Sequence, residues 1–360
     1  MAGRSRKPTQ ASNARQPDSS DSKGPVLPTL EDVAREAGVS TATVSRCINA
    51  PDRVVKATRE RVQNAIQALG YSPNFGARAL AAKQTNTIGA VIPTMENAIF
   101  ARGLQAFQET LAEAGQTLLV ASSGYDPGIE EEQIRTLISR GADGLLLIGY
   151  NRSERIYEFL EKRHIPYVVA WAYDPGSSAT AVGFDNAGAM AALASEVLRQ
   201  GHRRLAIISG HRAGNDRAEE RVRGVRSAAR AFGLDPDDID VIETVYSVDS
   251  GGTAMAQLLD RKDRPTAVIC GNDVLAVGAI RKAQSLGFRV PQDVSVTGFD
   301  DIELATLIDP GLTTVHVPHR EMGRQAARSI LALLNESTEL NTVCLETFIV
   351  HRGSLGKSDA

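Results

Sequence analysis

The sequence predicts an all-α helix-turn-helix head at the N-terminus, followed by an α/β core of two doubly wound lobes. Two short helical patterns separated by Gly38 lie near the start of the chain, in the stretch AREAGVSTATVSRCIN. From Thr87 onward, apolar runs of strand length alternate with helix-length amphipathic windows, and this alternation occurs in two successive series. Alternating strands and helices are typical of parallel sheets covered by helices, so two series indicate two lobes.

The charge distribution separates the head from the rest of the chain. Residues 1–83 hold 13 Lys and Arg against 7 Asp and Glu, whereas the remaining residues hold 27 against 36. A basic head on an acidic body predicts that a polyanion is the partner of the head alone. The first 27 residues are rich in Ser, Pro, Asn, Gln and Arg, which is typical of a disordered tail.

The first two predicted helices have clear boundaries. Thr29 is placed to cap the first helix, with Asp32 three residues later as its capping-box partner. Gly38 suits the left-handed conformation that ends a helix, and Ser40 then caps a second helix over residues 41–49. Because the connection is only three or four residues long, the pair fits a helix-turn-helix.

The second helix is the predicted DNA-recognition helix. Its exposed positions can reach base edges in the major groove and carry Thr41, Ala42, Ser45 and Arg46. Arg46 is the best candidate for a bidentate contact with guanine, and we expect Thr43 and Asn49 to anchor phosphate or hold the turn. A third helix in KATRERVQNAIQALGY completes the small core. The alternative is a generic three-helix unit that contacts another protein.

The segment 73–86 is the predicted hinge between head and core. Its short helical pattern is marginal alone in water, so we expect it to become helical only on its target. Leu80 is an apolar side chain in an otherwise small, polar stretch, and apolar wedges of this kind unstack base steps in the minor groove. Arg78 is a further candidate DNA contact. The alternative for Leu80 is simple packing on the body.

The core has the pattern of a ligand-binding protein. TIGAVIP, TLLVAS, GLLLIG and YVVAW predict buried parallel strands, and RLAIIS, IDVIETVY, TAVICG and VSVTGF predict a second series. A cleft is expected at the carboxyl ends of these strands. No GxGxxG follows the first strand and GxxxxGK[ST] does not occur, so no nucleotide cofactor is expected. His316 and His319 have no implied carboxylate or thiol partner, and we assign them structural roles rather than a metal site.

Side chains that follow the strands are the candidate effector contacts. Aromatic faces can stack on the apolar faces of a sugar ring, and Asp, Asn and Arg can hold its hydroxyl groups. The candidates chosen on this basis are Phe100, Tyr150, Trp171, Asn215, Arg217, Arg221, Tyr246, Asn272 and Asp300. A mono- or disaccharide is the expected effector, while the two arginines together leave room for a sugar acid or another anion.

Several residues in the predicted cleft have structural alternatives. Asp300 and Arg221 could pair with each other rather than with a ligand, and Trp171 or Tyr246 could belong to the core. Asp301 is expected only to cap the next helix. Two nearby carboxylates would also fit glycoside hydrolysis, which we reject because the head has no place in a hydrolase.

The longest motifs of the chain resemble a known family. TLEDVAREAGVSTATVSRCIN, YSPNFGARAL, VPQDVSVTGFDDIELA and LTTVHVP are similar, in this order, to the lactose/galactose-repressor (LacI/GalR) family of bacterial transcription regulators. The resemblance covers residues 29–353. It implies a head that reads the major groove, a hinge helix that inserts leucine at the operator centre, and a two-lobed, periplasmic-binding-protein-like core that binds an effector.

The resemblance also assigns roles to individual positions. It implies that Thr41, Ala42 and Arg46 face bases and that Leu80 is the wedge. Ala42 departs from members that carry a long polar side chain there, which weakens direct readout at that base. The effector contacts that it implies are Phe100, Arg221, Tyr246, Asn272 and Asp300, whereas members vary at the positions of Tyr150, Trp171, Asn215 and Arg217.

These observations together predict a transcriptional repressor whose affinity for double-stranded DNA is controlled by a small effector. Members of the family that tetramerise carry a leucine-heptad tail, which GSLGKSDA lacks, so we expect a homodimer on a palindromic operator. The predicted boundaries are a tail at 1–27, the head at 28–72, the hinge at 73–86, a first lobe at 87–185 and 318–344, a second lobe at 186–317 and 345–353, and a tail at 354–360.

The remaining features favour a cytoplasmic protein without cofactor or membrane partner. The first 27 residues lack an apolar signal-peptide core, and no apolar run approaches the length of a membrane span. The three cysteines are widely spaced, so we expect buried reduced thiols. The rival functions are a secreted sugar-binding transport protein, which would need a signal peptide, and a sugar-converting enzyme, which would need a catalytic constellation.

Overall fold

The computed structural model describes residues 27–72, 84–335 and 342–358 of the chain. The predicted N-terminal tail and the hinge positions Arg78 and Leu80 lie outside the described residues. The chain divides into two compact units at residues 81 and 82. In the first unit, the head consists of α1 (Leu30–Ala37), α2 (Thr41–Asn49), a short 3-10 helix (Pro51–Arg53) and α3 (Lys56–Leu69).

Local hydrogen bonds form the predicted helix ends of the head. The Thr29 hydroxyl accepts from the N–H of Asp32 at 3.3 Å, and the Thr29 N–H donates to the Asp32 carboxylate at 2.9 Å. Gly38 has φ 62°, the left-handed conformation in which a side chain is disfavoured. The Ser40 hydroxyl accepts from the N–H of Thr43 and caps α2. Each of these contacts lies within a few residues of sequence, which explains why the sequence alone locates the turn.

The helices of the head enclose one small apolar core. Val33, Val44 and Val62 contribute one side chain from each helix and are fully buried. Burial of a valine side chain contributes about 1.5–3 kcal/mol. Packing against α1 and α3 therefore fixes α2 and leaves its opposite face to solvent.

The second unit contains two α/β lobes, as predicted. In chain order its elements are β1 (Thr87–Ile92), α4 (Ala98–Glu113), β2 (Thr117–Ser122), α5 (Pro127–Ser139), β3 (Gly144–Ile148), α6 (Glu154–Lys162), β4 (Tyr167–Ala170), β5 (Ala181–Gly183), α7 (Asn186–Arg199), β6 (Leu205–Gly210), α8 (Asp216–Ala231), a 3-10 helix (Pro236–Asp238), β7 (Asp240–Thr244), α9 (Val248–Leu259), β8 (Ala267–Cys270), α10 (Asp273–Ser285), β9 (Ser295–Thr297), α11 (Leu304–Leu307), β10 (Thr314–His316), α12 (His319–Leu334), β11 (Val343–Cys344) and β12 (Phe348–Val350).

Each lobe is built around a parallel sheet. The first lobe has the strand order β2-β1-β3-β4-β5-β11, and the second has β7-β6-β8-β9. Strands β1 and β3 are buried along their whole length because helices cover both faces of the sheet. The carboxyl ends of the strands meet at one edge of each sheet, and these two edges face each other.

Three segments of the chain cross between the lobes. The first leads from β5 to α7, the second from β10 to α12, and the third from β11 to β12. Strand β10 pairs with β12 and forms bridges to the second lobe through Thr313 and His316, whereas α12 packs on α4 in the first lobe. Multiple crossovers of this kind are compatible with hinge closure of one lobe on the other.

Three expectations from the sequence need correction. TLLVAS forms an edge strand, so its side chains are half-buried or exposed rather than buried. Residues 354–358 are not a free tail: Ser354 is buried and donates to the carbonyl of Val296 at 2.6 Å, and the Gly356 carbonyl contacts the His202 ring at 3.0 Å. Cys344 is exposed, unlike the two buried cysteines of the described chain. Within the described residues, no helix has the length and hydrophobicity to cross a membrane.

Candidate functional site

Helix α2 presents three of the predicted base-contacting side chains to solvent. Thr41, Ala42 and Arg46 are exposed. Within the described residues, the guanidinium of Arg46 makes no hydrogen bond or ion pair, so its donors are available to a partner. An unpaired arginine on the exposed face of a helix is able to donate two hydrogen bonds to a guanine edge in a major groove.

The other polar residues of α2 have local partners. The Thr43 and Ser40 hydroxyls lie 2.9 Å apart, so Thr43 holds the turn that starts the helix. The Asn49 amide donates to the Ser45 hydroxyl at 3.2 Å across one helical turn. The hydroxyl groups of Thr43 and Ser45 can each form a second hydrogen bond, which a phosphate oxygen could accept.

A narrow cavity lies between the two lobes at the carboxyl ends of their strands. Eight of the nine predicted effector contacts line it, namely Phe100, Trp171, Asn215, Arg217, Arg221, Tyr246, Asn272 and Asp300. Three residues that were not predicted complete the lining, namely Asn97, Ile99 and Tyr125.

Aromatic rings form the wall that the first lobe contributes. The rings of Phe100 and Trp171 lie 5.4 Å apart between centroids and are tilted by 57°. Trp171 has a left-handed φ of 62°, which is rare for a bulky residue and is found at sites where surrounding structure holds it in place. Its ring packs on Gly103 of α4, where a β-carbon would come within 2.5 Å of the indole. The fold therefore fixes the direction of the indole edge.

Arg221 is the central cation of the second-lobe wall. Its Nε donates to Asn186 Oδ1 at 2.9 Å, and its Nη1 donates to the Gly271 carbonyl at 2.7 Å. The guanidinium also lies 3.9 Å from the centre of the Phe299 ring. Asn186 in turn donates to the Trp171 carbonyl at 3.0 Å, which connects the walls of the two lobes through one amide.

Asn215 and Asn272 are the N-cap residues directly before two second-lobe helices, α8 and α10. Each uses its side-chain oxygen to cap the helix that follows, accepting from the N–H of Ala218 and of Leu275 respectively. The Asn215 amide also donates weakly to the Tyr246 hydroxyl at 3.4 Å. The caps hold these amides in place at the mouth of the cavity.

Direct contacts hold the lobes together beside the cavity. Arg217 donates to the Ile148 carbonyl of the first lobe at 3.1 Å, and the Asp216 carboxylate accepts from the N–H of Tyr150. Asp216 and Arg217 also form an ion pair at 2.7 Å. Gly149 packs against the side chains of Asp216 and Arg217 and has φ 71°, and a β-carbon at Gly149 would collide with both of these side chains. We refer to Gly149, Asp216 and Arg217 as the interlobe latch.

Two residues of the lining have buried polar atoms without a hydrogen-bond partner among the described residues. These atoms are Oδ1 of Asp300 and Nε1 of Trp171. The nearest cation to Asp300 is Arg221 at 3.7 Å, which is an ion pair rather than a hydrogen bond. Asp300 also has a left-handed φ of 106°. Because buried polar groups are normally paired, these two atoms are candidates for contact with a ligand.

Burial shifts the ionisation of the groups around this carboxylate. It raises the pKa of Asp300 to about 7, against the opposing effect of the Arg221 guanidinium. Burial and the charge of Arg221 lower the pKa of the nearby His319 to about 3, so this ring is neutral at physiological pH. Burial also raises the pKa of Tyr125.

Tyr150 does not line the cavity, contrary to the sequence-based expectation. It follows β3 as predicted, but only its backbone N–H takes part in the contact between the lobes. Its carbonyl accepts from the Tyr157 hydroxyl at 3.0 Å. The left-handed turn at Gly149 separates the strand end from the Tyr150 side chain, which a rule based on strand ends alone does not take into account.

The roles of two other polar residues, Asp301 and His316, also differ from the sequence-based expectation. Asp301 does not cap a helix: its carboxylate pairs with Arg352 at 2.6 Å and with His316 Nδ1 at 2.9 Å. His316 therefore has the carboxylate partner that the sequence did not imply. Asp273 has structural partners, because its carboxylate accepts from the Ile302 N–H and the Thr314 hydroxyl. No group of three or more potential metal ligands is found in the described residues.

Sequence reasoning missed Tyr125 and His319. Tyr125 follows β2 in the turn SGYDP, so the rule that selected the other strand-end residues also applies to it. His319 begins α12 directly behind the cavity, with its ring stacked near Trp171 and its Nε2 4.0 Å from Asp300 Oδ1. Both nitrogens of this ring are buried without a hydrogen-bond partner in the described structure.

Comparison with known proteins gives consistent assignments for both units. Residues 29–74 match the family described as bacterial regulatory proteins, lacI family, and residues 194–355 match the periplasmic binding protein-like domain. The chain is 32% identical to catabolite control protein A of Priestia megaterium, over 86% of this chain and 93% of that protein. It is 36% identical to the HTH-type transcriptional regulator CelR of Thermobifida fusca, over 91% and 98% of the two chains.

Solved structures agree with these relatives. The lac repressor dimer bound to operator and the anti-inducer ONPF superposes with a TM-score of 0.80 and 26% identity, covering 92% of this chain and all of that one. A complex of the transcriptional regulator CelR with cellobiose superposes with a TM-score of 0.66 and 33% identity, covering 91% and 99%. The head, the two lobes and these similarities show that the chain belongs to the lacI family of bacterial DNA-binding transcription regulators.

Proposed function

We propose that the protein is a transcriptional repressor that binds a palindromic operator as a homodimer and changes its operator affinity when a small molecule, a mono- or disaccharide, occupies the cavity between the lobes. The observation that carries this proposal is the cavity itself. Aromatic rings line it, together with buried polar atoms that have no hydrogen-bond partner among the described residues, in a chain that also carries a helix-turn-helix head.

The interlobe latch provides the mechanism. A ligand that bridges the two walls favours the conformation in which Arg217 and Asp216 contact the turn after β3. Such a ligand can shift the equilibrium only by its difference in affinity for the open and closed conformations, typically about 1–3 kcal/mol. The change passes to the head through residues 73–83, which lie outside the described part of the chain.

A homodimer is supported by the similarity to the lac repressor dimer. Two heads related by a two-fold axis read two half-sites of opposite orientation.

An enzymatic role receives no support from the cavity. A retaining or inverting glycosidase needs two carboxyl groups open to substrate. Asp300 is the one carboxylate in the described lining of the cavity, and the neighbouring Asp273 is engaged by Ile302 and Thr314. A transport function would leave the helix-turn-helix head without a role.

Operator binding in the presence of candidate effectors tests the proposal. Selection from random duplexes identifies the operator, and fluorescence anisotropy then measures its affinity with and without each sugar. We expect a palindromic site and a change in affinity of about 5- to 150-fold with the right sugar. A site without symmetry contradicts the homodimer, and a protein that binds a sugar in the cavity without any change in operator affinity contradicts the regulatory mechanism.

A further inference from the structure

We infer that Asn186 is a positioning residue of the effector cavity, whose buried side-chain amide holds Trp171 and Arg221 in a fixed relation across the first crossover between the lobes. This inference rests on the proposed function and identifies a residue that acts on the cavity without lining it. It depends on the place of Asn186 in the chain, on the direction of its hydrogen bonds and on the strained backbone that one of these bonds holds.

Asn186 lies where the chain passes from the first lobe to the second. Only Phe184 and Asp185 separate the end of β5 from Asn186, the first residue of α7. The N-cap of α7 is Asp185, whose carboxylate accepts from the N–H of Gly188 at 2.8 Å. The side chain of Asn186 is therefore not needed to cap the helix, and the residue is 4% exposed.

The amide of Asn186 connects the two lobes. Its Nδ2 donates to the carbonyls of Trp171 at 3.0 Å and Phe184 at 3.4 Å, while its Oδ1 accepts from Arg221 Nε of the second lobe at 2.9 Å. Backbone carbonyls only accept and a guanidinium only donates, so this position needs a donor at one end and an acceptor at the other. Asparagine supplies both, whereas an ionised aspartate would supply the acceptor alone.

The bond to Trp171 holds an unfavourable backbone conformation. Trp171 has φ 62°, which is costly for a bulky residue and persists only where the surrounding structure imposes it. The next residue, Ala172, packs against Gly183, where a β-carbon would collide with the Ala172 carbonyl. Gly183 and Asn186 thus both contact this turn, and the turn sets the direction from which the indole enters the cavity.

The bond from Arg221 fixes the opposite wall. With Nε bonded to Asn186, the Nη2 of Arg221 lies 3.7 Å from Asp300 Oδ1. The ring of Phe299 lies 3.9 Å from the same guanidinium and stacks on Phe184 of the crossover, with 5.9 Å between the ring centres. A residue at a crossover moves little when one lobe closes on the other, so it can keep both walls in register.

Trp171 fluorescence of the full-length, effector-free protein tests the inference, because Trp171 is the single tryptophan of the chain. Asn186→Asp keeps the acceptor for Arg221 and removes both donors, and Asn186→Ala removes donors and acceptor alike. We expect both variants to shift the Trp171 emission to longer wavelength and to increase its quenching by acrylamide, at a temperature where circular dichroism shows them to be folded.

Two controls separate positioning from a general loss of stability. Asn335→Asp makes the same chemical change in an exposed side chain that donates to the Leu331 carbonyl, and Leu160→Ala destabilises a separate core cluster of the first lobe. Neither should change the Trp171 spectrum. Unchanged spectra in both Asn186 variants, or an equal change in Leu160→Ala, overturn the inference.

Protonation provides a readout that a merely structural role would not produce. As pH falls, the carboxyl group introduced by Asn186→Asp gains a proton and with it a donor for the Trp171 carbonyl. Its Trp171 spectrum should therefore return toward that of wild type between about pH 7 and about pH 4, whereas that of Asn186→Ala should not. The nearby charged and titratable groups are the same in both variants, namely Asp185, Arg221, Asp273, Asp300 and His319. Equal pH dependence of the two variants overturns the inference.

Operator binding separates this inference from the proposed function. Under the proposed function, Asn186→Asp also changes operator affinity, within the range of about 5- to 150-fold that is typical of allosteric coupling. If the Trp171 spectrum responds and operator affinity does not, the positioning role stands and the coupling between cavity and head fails. If operator affinity changes while the spectrum does not, the positioning role fails.

Discussion

Separate replacement of Asp300 by Asn and of His319 by Phe is expected to reveal two opposite pH dependences of stability that cancel in the wild-type protein. The two side chains are buried with 4.0 Å between His319 Nε2 and Asp300 Oδ1. Burial raises the pKa of Asp300 from 3.8 to about 7 and lowers the pKa of His319 from 6.5 to about 3. The protonation of Asp300 therefore differs between the folded and unfolded chains from about pH 4 to 7, and that of His319 differs from about pH 3 to 6.5, so the two pH ranges overlap.

The signs of the two effects are opposite. Between pH 4 and 7 the folded protein keeps the Asp300 proton that the unfolded chain releases, so this group lowers stability as pH rises. Between pH 3 and 6.5 the unfolded chain binds a proton on His319 that the folded protein excludes, so this group raises stability as pH rises. One pKa unit corresponds to about 1.4 kcal/mol and the shared window spans about 2.5 pH units, so each group changes the free energy of unfolding by about 3.5 kcal/mol across it.

Each single variant should remove one effect and expose the other. As pH rises from 4 to 6.5, the free energy of unfolding of Asp300→Asn is expected to increase by about 3.5 kcal/mol relative to wild type, whereas that of His319→Phe is expected to decrease by a similar amount. Arg221 and Asp273 also face Asp300, and both remain in each variant. The Asp300 charge also helps to raise the pKa of Asp273, so Asp300→Asn lowers that pKa and adds to the gain in stability as pH rises.

Urea unfolding at a series of pH values measures these differences. Trp171 is the single tryptophan of the chain and lies in the cleft, so its fluorescence follows the unfolding of this region. Asp263→Asn and His351→Gln, which change exposed side chains, are the matched controls. Variant curves that stay parallel to wild type between pH 4 and 6.5 would refute the opposed titration of the two groups.

Three further changes test the head, the hinge and the latch. Arg46→Ala should weaken operator binding about 5- to 150-fold in anisotropy titrations, as expected for the loss of one bidentate contact with a base. Arg61→Ala on α3 removes the same charge from another exposed position of the head and is the control. Equal losses of affinity in the two variants would contradict a base contact by Arg46. Leu80→Ala, outside the described residues, should reduce operator affinity and DNA bending, and unchanged values in a gel-shift bending assay would argue against the wedge. Gly149→Ala adds left-handed strain and a collision with Asp216 and Arg217 of the interlobe latch, whereas Gly233→Ala adds the strain alone. Gly149→Ala should therefore lower the melting temperature more than Gly233→Ala and should also weaken the change in operator affinity that the effector causes. Equal effects of the two variants would contradict the role of the interlobe latch.

The parts of the fold that depend on local contacts were predictable from the sequence. The cap at Thr29, the left-handed Gly38 and the cap at Ser40 involve partners within a few residues, so residue type and spacing were enough to locate them. The parallel strands followed from apolar runs. Whether a run lies at the centre or at the edge of its sheet depends on strand order, which explains why Thr117–Ser122 was wrongly expected to be buried.

The effector cavity was partly predictable because the carboxyl ends of parallel strands meet at one edge. That rule selected Phe100 and Asp300, which are 200 residues apart in the sequence and line one cavity. It could not show that Gly149 turns the chain so that the Tyr150 side chain is kept out of the cavity. Nor could it identify His319, since this residue reaches the site by starting a helix on the return from the other lobe.

The distribution of the last residues has a consequence for how the protein is made. Helix α12 and β11 complete the first lobe, and the segment around Ser354 completes the second, so neither lobe has all its parts until residues 319–354 have been synthesised. The core of the head is complete by Tyr71. During synthesis on the ribosome, the helix-turn-helix head can therefore fold long before the two-lobed core is complete. Until α12 has been synthesised, the apolar face of α4 on which it packs stays exposed. Prematurely terminated chains would combine a folded helix-turn-helix head with an incomplete core that is prone to aggregate.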